Sequence, residues 1–462
     1  MEEIIIGSDR AAYLTGAKAA VTIASRDVFT EDDKPIKMDA QGKKEYRGAV
    51  PWGADNNLPN SIVEIVGNNS IGTSSIEFKI DVAFGSGVKI GYRNDKNIFE
   101  PYPKSQILKD KALTEIQNFL DDNNISDFLS ELATDITWFN NGFVEFILDR
   151  NEGSKRKIVE ITAKEAFFSR WETANERGIV ENHFYSAKWP KKPKAEEYVV
   201  TPVLWGKNPA NILLRKMGRM PDLQGKVKDE KKYVYIMPVR MPSPGKLYYP
   251  RPAYYSIISS GWMDFANAIP KFKQAMMNNS MTIAYHIEIH EDYFPDIFRK
   301  EGIKTKKAQE ARRKKEYEEL NKFLKGYDNA GKTMITYTKK VPSSGKIETV
   351  SMIKISVIDK KIGGEYIEDS HEANAMIYTA FRVHPNLIGV IPGKNPINLS
   401  GSDKRELLRI AQSLQGRLRA KLLQPLNVVK KVNGWPEEVE FAIPDIILTT
   451  LDQGKEVQSM TI

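Results

Sequence analysis

Residues 135–148 read DITWFNNGFVEFIL, and this stretch decides how the chain folds. A helix is predicted within residues 105–138, and its buried stripe consists of Leu120, Phe128, Leu129, Leu132 and Ile136. The triplet Asn140-Asn141-Gly142 is a turn signal, and Phe143–Leu148 then has the apolar content of a strand. Because a helix passes through a tight turn into a strand, the stretch indicates an α+β protein.

Helices and strands also follow each other on both sides of this stretch. Residues 61–66 and 70–84 carry apolar residues at helical spacing, and Gly85-Ser86-Gly87 ends the second helix before a strand. Residues 157–250 contain short strands that proline and glycine interrupt. The first half of the chain is therefore predicted to be α+β throughout.

The second half begins with a helix at residues 253–277, which Pro270 is expected to kink or divide. The further predicted elements are a strand at 281–290, a charged helix at 304–325, strands at 333–339 and 346–357, a helix at 365–383, a loop at 385–401, a long helix at 402–432 and a strand at 438–443. Gly416 and Pro425 are expected to bend the long helix. Its predicted buried stripe consists of Leu407, Ala411, Leu414, Leu418, Leu422, Leu426 and Val429.

Composition excludes several classes of protein. With 462 residues, the chain is long enough for two or three domains, and with no cysteine it forms neither disulfides nor thiolate metal sites. The opening residues MEEIIIGSDRAAYL lack the basic start and the long apolar run of a signal peptide, and no window of 18 apolar residues predicts a membrane span. The formal net charge of +8 permits contact with nucleic acid but does not by itself argue for it.

Residues 326–333, GYDNAGKT, match the letter pattern of a nucleotide-binding P-loop. A functional P-loop needs a strand that enters the loop and a helix that leaves it, since the helix N-terminus holds the phosphates. Here a charged helix is predicted to enter and a strand to leave, so a phosphate at Lys332 would face a helix C-terminus, which repels anions. We therefore interpret the match as the end of a helix and a turn.

Three alternating residues form the best candidate for a metal site. His286, Glu288 and His290 lie on one face of a predicted strand and could hold a metal ion. The same alternation is typical of the polar face of a strand in a soluble sheet, and this interpretation is favoured. His371 and His384 have no Ser and Asp partners at a recognisable spacing. The sequence therefore predicts no enzyme, no cofactor and no metal.

Basic residues cluster in the charged helix, where Arg312, Arg313, Lys314 and Lys315 follow one another. The simplest interpretation is a solvated helix, because nearby glutamates compensate the charge. The long helix also carries basic residues on the side opposite its apolar stripe. Such a helix back is most often plain surface, but it could also face another subunit or a polyanion.

Taken together, five segments resemble the portal proteins of tailed bacteriophages, most clearly over residues 51–445. They are residues 68–90 (NNSIGTSSIEFKIDVAFGSGVKI), 135–148, 248–269 (YYPRPAYYSIISSGWMDFANAI), 323–337 (FLKGYDNAGKTMITY) and 381–429 (FRVHPNLIGVIPGKNPINLSGSDKRELLRIAQSLQGRLRAKLLQPLNVV). They resemble the early portal helix, the wing motif, the start of the stem, a clip segment, and the end of the second stem helix with its tunnel loop and long helix. The order and spacing of the segments carry the resemblance, because no single one is diagnostic.

The resemblance implies a portal fold with an α/β wing, a two-helix stem, a small α/β clip and a long kinked C-terminal helix. The wing would comprise residues 1–251 and 385–462, the stem 252–280 and 358–384, and the clip 281–357. Because the chain ends shortly after Asp445, the C-terminal crown would be minimal or missing.

The resemblance also implies a function. About twelve subunits would form a ring at one capsid vertex of the virion, assembled in the host cytoplasm, and double-stranded DNA would pass through its channel during packaging and ejection. The partners would be other copies of the chain, DNA, the large terminase subunit, a head-tail connector and the major capsid protein or scaffold, with no membrane.

Two sets of residues are candidate sites on this basis. The tunnel loop 385–401 would project toward DNA, with Lys394 as its charged side chain and Asn395, Asn398 and Ser400 as neutral hydrogen-bonding groups. In the clip, the run from Arg312 to Lys315 would dock partner proteins. A surface loop with an incidental lysine is the simpler interpretation of the first set.

Two other classes of protein remain open at this stage. A different phage ring protein, such as a connector or baseplate subunit, would share the assembly but not the helix–α/β insert–helix arrangement. A P-loop ATPase that acts on nucleic acid is disfavoured by the inverted order of elements around Lys332.

Overall fold

The structure is a computed structural model of the chain. It describes residues 4–8, 11–14, 19–22, 34–41, 45–151, 155–222, 225–280, 285–325, 338–343, 346–357, 365–388 and 401–448. The chain divides into two compact units: unit 1 consists of Met1–Ala268 with Glu368–Ile462, and unit 2 consists of Ile269–Ile367.

The described residues contain helices in both units. In chain order they are α1 (Leu58–Gly67), α2 (Ser70–Phe84), α3 (Lys104–Ile107), α4 (Lys111–Asp122), α5 (Ile125–Phe139), α6 (Pro209–Lys216), α7 (Tyr255–Ser259), α8 (Trp262–Ser280), α9 (Tyr293–Lys300), α10 (Lys306–Lys325), α11 (Glu365–Phe381), α12 (Pro385–Ile388), α13 (Gly401–Ser413), α14 (Gly416–Leu422) and α15 (Gln424–Asn433).

The strands form small antiparallel sheets. They are β1 (Ile4–Ser8), β2 (Ala11–Leu14), β3 (Ala19–Thr22), β4 (Lys89–Arg93), β5 (Phe99–Pro101), β6 (Asn141–Leu148), β7 (Ile158–Lys164), β8 (Ser169–Trp171), β9 (Asn182–Tyr185), β10 (Val199–Pro202), β11 (Val234–Arg240), β12 (Tyr285–Ile289), β13 (Thr338–Ser343), β14 (Lys346–Ser351), β15 (Ile353–Val357) and β16 (Glu440–Ala442). Their orders are β1-β2-β3, β10-β9-β8, β11-β6-β7, β12-β15, β13-β14 and β16-β4-β5. The predicted α+β class is therefore confirmed.

The predicted helix–turn–strand unit forms the centre of unit 1. Helix α5 ends at Phe139, and the left-handed backbone of the next residue, Asn140 (φ 58°), reverses the chain into β6. Gly142, the second residue of β6, packs closely against α5, because a Cβ there would lie 2.5 Å from Cδ1 of the buried Leu132. Asn141 is fully buried, and its side-chain amide donates to the carbonyls of Phe139 and Pro250.

The predicted stripe of α5 is buried. Phe128, Leu129, Leu132 and Ile136 are each at most 3% exposed, and α5 packs against α2 and β6. On the same core, the ring of Trp52 stacks on Tyr249 with centroids 4.4 Å apart. Burial of each such large apolar side chain contributes about 1.5–3 kcal/mol to folding, so this helix–sheet core anchors unit 1.

The long C-terminal helix is divided into three helices, α13, α14 and α15. The breaks come just before Gly416 and just before Pro425, the two residues expected to bend it. Its apolar stripe is buried from Leu418 to Val429, but Leu414 is 50% exposed. The prediction that Leu414 belongs to the buried stripe is therefore wrong, and Leu407 and Ala411, on α13, are only partly buried.

Other boundaries differ from the predictions in ways that local sequence explains. Residues 105–138 form α3, α4 and α5 rather than one helix, and α4 begins where Asp110 accepts hydrogen bonds from the backbone of residues 112 and 113. Gly261, with φ 81°, separates α7 from α8, and Pro270 lies inside α8. The predicted tunnel loop begins with a helical turn, α12, and its residues 389–400 lie outside the described residues.

Unit 2 has its own small core. Five buried residues form it, namely Tyr293, Phe294, Phe298, Met352 and Ile353, with isoleucines of β12 and β15 packed against them. Strand β12 pairs with β15, and β13 with β14. Helix α9 was not predicted, because its segment YFPDIFRK is short and begins soon after a strand.

Candidate partner-binding surface

Helix α10 carries the predicted docking residues of unit 2. Its sequence KKAQEARRKKEYEELNKFLK consists mainly of strong helix formers, so it forms a helix with little apolar content. One stripe contacts α9 and its C-terminal end and comprises Arg312, Arg313, Glu316 and Tyr317. These positions recur at three- and four-residue steps, so the basic run cannot lie on a single face of the helix.

Arg312 is part of a partly buried ion-pair network. Its Nε lies 3.0 Å from Oε2 of Glu301, and its Nη1 lies 2.6 Å from Oε2 of Glu316. Tyr293 of α9 donates to the other oxygen of Glu316 at 2.6 Å. Hydrogen bonds to both glutamates raise the pKa of Arg312, and although burial opposes it, the bonds from Tyr293 and Arg312 hold the pKa of Glu316 below its usual value. This network ties α10 to α9.

Arg313 makes a second contact with the aromatic core of unit 2. Its guanidinium carbon lies 5.4 Å from the ring centroid of Phe294 and 5.5 Å from that of Phe298. Such cation–π contacts contribute about 0.5–1 kcal/mol at exposed sites. Arg312 and Arg313, two of the four predicted docking residues, therefore contact other residues of unit 2.

Lys314 and Lys315 complete the run and are exposed on the other side of α10. Lys307 is also exposed on that side, and so is Glu318, which is one helical turn from Lys314. The surface that α10 offers to a partner is thus a mixed one with three lysines, called here the lysine face: Lys307, Lys314 and Lys315. Whether it docks a partner stays a prediction.

The other predicted sites lie largely outside the described residues. This applies to Lys394, Asn395, Asn398 and Ser400 of the tunnel loop. It also applies to residues 326–333, which carry the P-loop letters. The element that precedes these residues is confirmed as a helix, since α10 runs to Lys325. The predicted strand at 333–339 overlaps β13 from Thr338 onward, and residues 333–337 lie outside the described residues.

The metal candidate on β12 has ordinary polar partners. Glu288 Oε2 lies 3.1 Å from Nζ of Lys354 on the paired strand β15, and Nδ1 of His290 lies 3.7 Å from Asp292. Over the part of the chain that the structure describes, no group of three or more His, Asp or Glu side chains could hold a metal ion. The side chain of His286, the third member of the candidate, lies outside those that the structure describes, so the interpretation as a polar strand face stays a prediction.

A carboxylate cluster that sequence analysis did not identify lies beside α5. Burial raises the pKa of Asp135 to about 7, a hydrogen bond from the backbone of Ala166 opposes the rise, and the charges of Glu165 and Glu131 add to it. Asp135 accepts this bond at 2.8 Å, while Tyr185 donates to Glu165. These contacts give the cluster a structural role in holding the segment after β7 against α5.

Two buried basic side chains lie in the adjoining sheet. Arg170 is 2% exposed and donates to Asn56 and to backbone carbonyls, between the rings of Trp52 and Trp189. His183 is 1% exposed, and burial followed by the charges of Lys164 and Arg170 lowers its pKa to about 3. Both side chains join segments distant in sequence, so periodicity could not reveal them.

Comparison with known proteins identifies the fold. No protein-family model matches the sequence, and no curated protein matches it either. In structure, the chain is similar to a chain from the neck of an empty gene transfer agent particle computed with C6 symmetry, at 14% identity, with a TM-score of 0.52, over 86% of this chain and 86% of that chain. It is also similar to a chain from the virion of the native gene transfer agent particle, at 14% identity, with a TM-score of 0.52, over 85% and 84%.

Both similarities span most of the chain, so they concern the order of elements and not one local motif. In the part of the chain that the structure describes, no helix is long and apolar enough to cross a membrane. The chain shares its fold with chains from these particles, and this similarity supports the resemblance to phage portal proteins at the level of the fold.

Proposed function

We propose that the protein is a portal-type subunit that forms a ring-shaped channel at one capsid vertex. Double-stranded DNA passes through this channel into the particle and later out of it. The observation that carries the proposal is the fold, which is similar over 86% of the chain to a chain from a particle neck. The wing, stem and clip boundaries predicted from sequence are part of this proposal.

Exposed apolar side chains support assembly into a ring. On α8 and α11, which overlap the proposed stem, they are Phe265 (44% exposed) and Met376 (39%). On the long helix, Ile410 is 56% and Leu414 is 50% exposed. Exposed large apolar residues on helix surfaces are typical of protein interfaces, so we assign these positions to contacts between neighbouring subunits.

Docking of the terminase large subunit and, later, of a head-tail connector is assigned to the lysine face of α10. Arg312 and Arg313 are excluded from direct docking in this proposal, because their side chains already contact unit 2 itself. Contacts between the ring and the major capsid protein or scaffold belong to the same proposal. The role of the chain is structural, in the virion.

ATP hydrolysis is the alternative that needs a separate test, because of the letters GYDNAGKT. If this segment is only a turn, Lys332→Ala leaves assembly unchanged and the purified protein binds no ATP at millimolar concentration. Hydrolysis of ATP that depends on Lys332 would show that the structural assignment is wrong.

The mass of the purified protein in solution tests the proposed assembly. A ring of twelve copies of the 52.4 kDa chain has a mass of about 630 kDa. We expect a closed oligomer near this mass over a range of protein and salt concentrations. A monodisperse monomer under all of these conditions would contradict the proposal.

A further inference from the structure

Strand β7 forms one edge of the sheet β11-β6-β7 in unit 1. It pairs with β6 on one side, and no strand of the described chain pairs with it on the other side. Its sequence, IVEITAK, is rich in β-branched residues, and Val159 is 48% exposed. A strand edge of this kind presents N–H and C=O groups with which a strand of another chain can pair.

Asn433 occupies the beginning of this edge. It is the last residue of α15, and its Oδ1 accepts a hydrogen bond of 2.8 Å from the backbone N–H of Ile158. Its Nδ2 donates to the backbone carbonyl of the same residue at 2.9 Å. A residue of an antiparallel strand exchanges the same two hydrogen bonds with the residue directly opposite. The side-chain amide of Asn433 therefore takes the place of a peptide group of a neighbouring strand.

Asn123 occupies the next part of the edge. It directly follows α4, and its Oδ1 accepts a hydrogen bond of 2.8 Å from the backbone N–H of Ile161. Its Nδ2 donates to the carbonyl of Val159 at 3.3 Å and to that of Phe119, in the last turn of α4, at 2.8 Å. Two side-chain amides from two different helix ends thus bond to the backbone of β7 along residues 158–161.

Packing between the helix ends holds both asparagines in place. Glu115 of α4 accepts hydrogen bonds from Nζ of Lys157 at 2.7 Å and from the indole N–H of Trp435 at 3.2 Å. The ring of Trp435 also packs edge-on against Phe119, with centroids 5.3 Å apart. Since Lys157 directly precedes β7 and Trp435 lies two residues after Asn433, these contacts fix α4 and the end of α15 relative to the edge.

Two further features of β7 disfavour pairing with another strand. The register of β7 against β6 shifts next to Val159, which is the extra residue of a β-bulge. Glu160, the next residue, is exposed and places a charge on the edge strand. Bulges and charged side chains protect the edges of natural sheets from pairing with other chains. The two amides therefore act together with features that serve the same purpose.

We propose that Asn123 and Asn433 determine how copies of this chain associate, because they close the edge of β7 to a strand of a second copy. Every copy carries the same edge, so two open edges could pair antiparallel about a two-fold axis. Such a contact joins chains in pairs, whereas a ring is closed by contacts between two different surfaces of each subunit. This consequence for ring assembly rests on the proposed function, but the closure of the edge does not.

A purely structural role of the two amides leads to a different expectation. Side chains that bond to the backbone also stabilise a fold, because they satisfy polar groups that are removed from water. In that case the loss of the amides lowers the melting temperature and leaves the association of copies unchanged.

The double variant Asn123→Ala, Asn433→Ala opens the edge without adding a large apolar side chain. Its matched control is Asn267→Ala, because the half-buried Asn267 donates to the carbonyl of Ile65 at 2.8 Å, which belongs to α1 and not to a strand edge. A triple variant adds Val159→Lys, since a charge on the edge strand opposes pairing but does not replace the lost amides. Asn433→Ala alone takes the place of the double variant if the double variant does not fold.

The mass distribution of the purified full-length chain is measured by light scattering over a range of protein concentrations, and hydrogen exchange of residues 158–164 is measured in the same samples. We expect the double variant to lose the discrete wild-type species as its concentration rises. The larger species should show slower exchange of residues 158–164 than the dilute variant. Wild type and Asn267→Ala should keep one discrete species, and Val159→Lys should restore that species without restoring the melting temperature.

Two results would overturn the inference. If the double variant keeps the wild-type mass distribution at every concentration, the amides only stabilise the fold. If larger species form and persist in the triple variant, the copies associate through another surface. A wild type that forms no ring contradicts the proposed function instead, and the comparison between wild type and double variant still decides whether the amides close the edge.

Discussion

The imidazole of His183 lies between aromatic rings in the core of unit 1, with centroids 5.3 Å from Phe143 and 5.5 Å from Trp171. It is 1% exposed, and neither ring nitrogen has a hydrogen-bond partner among the described residues. A charged imidazolium in this position would be costly, and the pKa of His183 is accordingly lowered from 6.5 to about 3. Protonation should therefore favour the unfolded state.

The size of the effect follows from linkage between protonation and folding. In the unfolded chain this histidine is protonated below pH 6.5, whereas folded His183 stays neutral down to about pH 3. The stability that neutral His183 contributes is therefore complete above pH 6.5 and is lost as the pH falls. Each pH unit in this interval costs about 1.4 kcal/mol, so the loss between pH 6.5 and pH 5 is about 2 kcal/mol.

The variant His183→Phe removes the titrating group and keeps an aromatic ring in an aromatic pocket. Unfolding by urea at fixed protein concentration is followed by tryptophan fluorescence, which reports on unit 1, since all seven tryptophans belong to it. The quantity of interest is the free energy of unfolding of the variant minus that of the wild type. This difference should increase by about 2 kcal/mol from pH 6.5 to pH 5.

Asp135 supplies the matched control with the opposite sign. Its raised pKa of about 7 means that the folded state keeps its proton where the unfolded state has lost it, so the wild type loses stability as the pH rises from 4 to 7. Asp135→Asn can still accept the hydrogen bond from Ala166, and its advantage over the wild type should grow over that range. A difference for His183→Phe that is independent of pH would refute the reasoning, because it would mean that the buried imidazole does not resist protonation.

The remaining predictions concern the proposed surfaces. The double variant Lys314→Glu, Lys315→Glu should still form rings, and its free energy of unfolding should change by no more than about 0.5 kcal/mol, but a pull-down should show impaired docking of terminase or connector. Arg312→Ala should lower the free energy of unfolding of unit 2, followed by circular dichroism, by about 2 kcal/mol, because two glutamates lose their arginine partner. Normal docking by the double variant would show that the lysine face is not the docking surface. Leu414→Asp should shift the mass distribution toward smaller species without lowering the melting temperature, and an unchanged ring would place this residue outside the interface. Lys394→Glu should permit ring assembly but reduce the length of DNA packaged, and full-length packaging would argue against contact between this loop and DNA.

Local patterns predicted the elements that are decided locally. The helix–turn–strand unit at residues 135–148 has its turn residues in sequence order and its apolar residues at helical spacing, so α5 and β6 were predictable, and the burial of Leu132 and Ile136 with them. The helix α2 and its end before β4 were predictable for the same reason.

Interactions between distant segments were not predictable in this way. The pairing of Arg312 with Glu301 crosses a turn between two helices. A charged side chain that the sequence pattern assigns to the solvated surface is therefore part of a packed network. Leu414 continues a stripe that is buried farther along the same helices, and periodicity does not tell whether its own chain or another copy covers a position.

Electron microscopy of the purified protein tests the central claim most directly. We predict closed rings with a central channel wide enough for a DNA duplex, with residues 392–398 nearer the symmetry axis than any other residue of the proposed wing. Particles without a central channel would contradict the proposed function, and residues 392–398 on the outer rim would contradict the assignment of the tunnel loop and of the helices on either side of it.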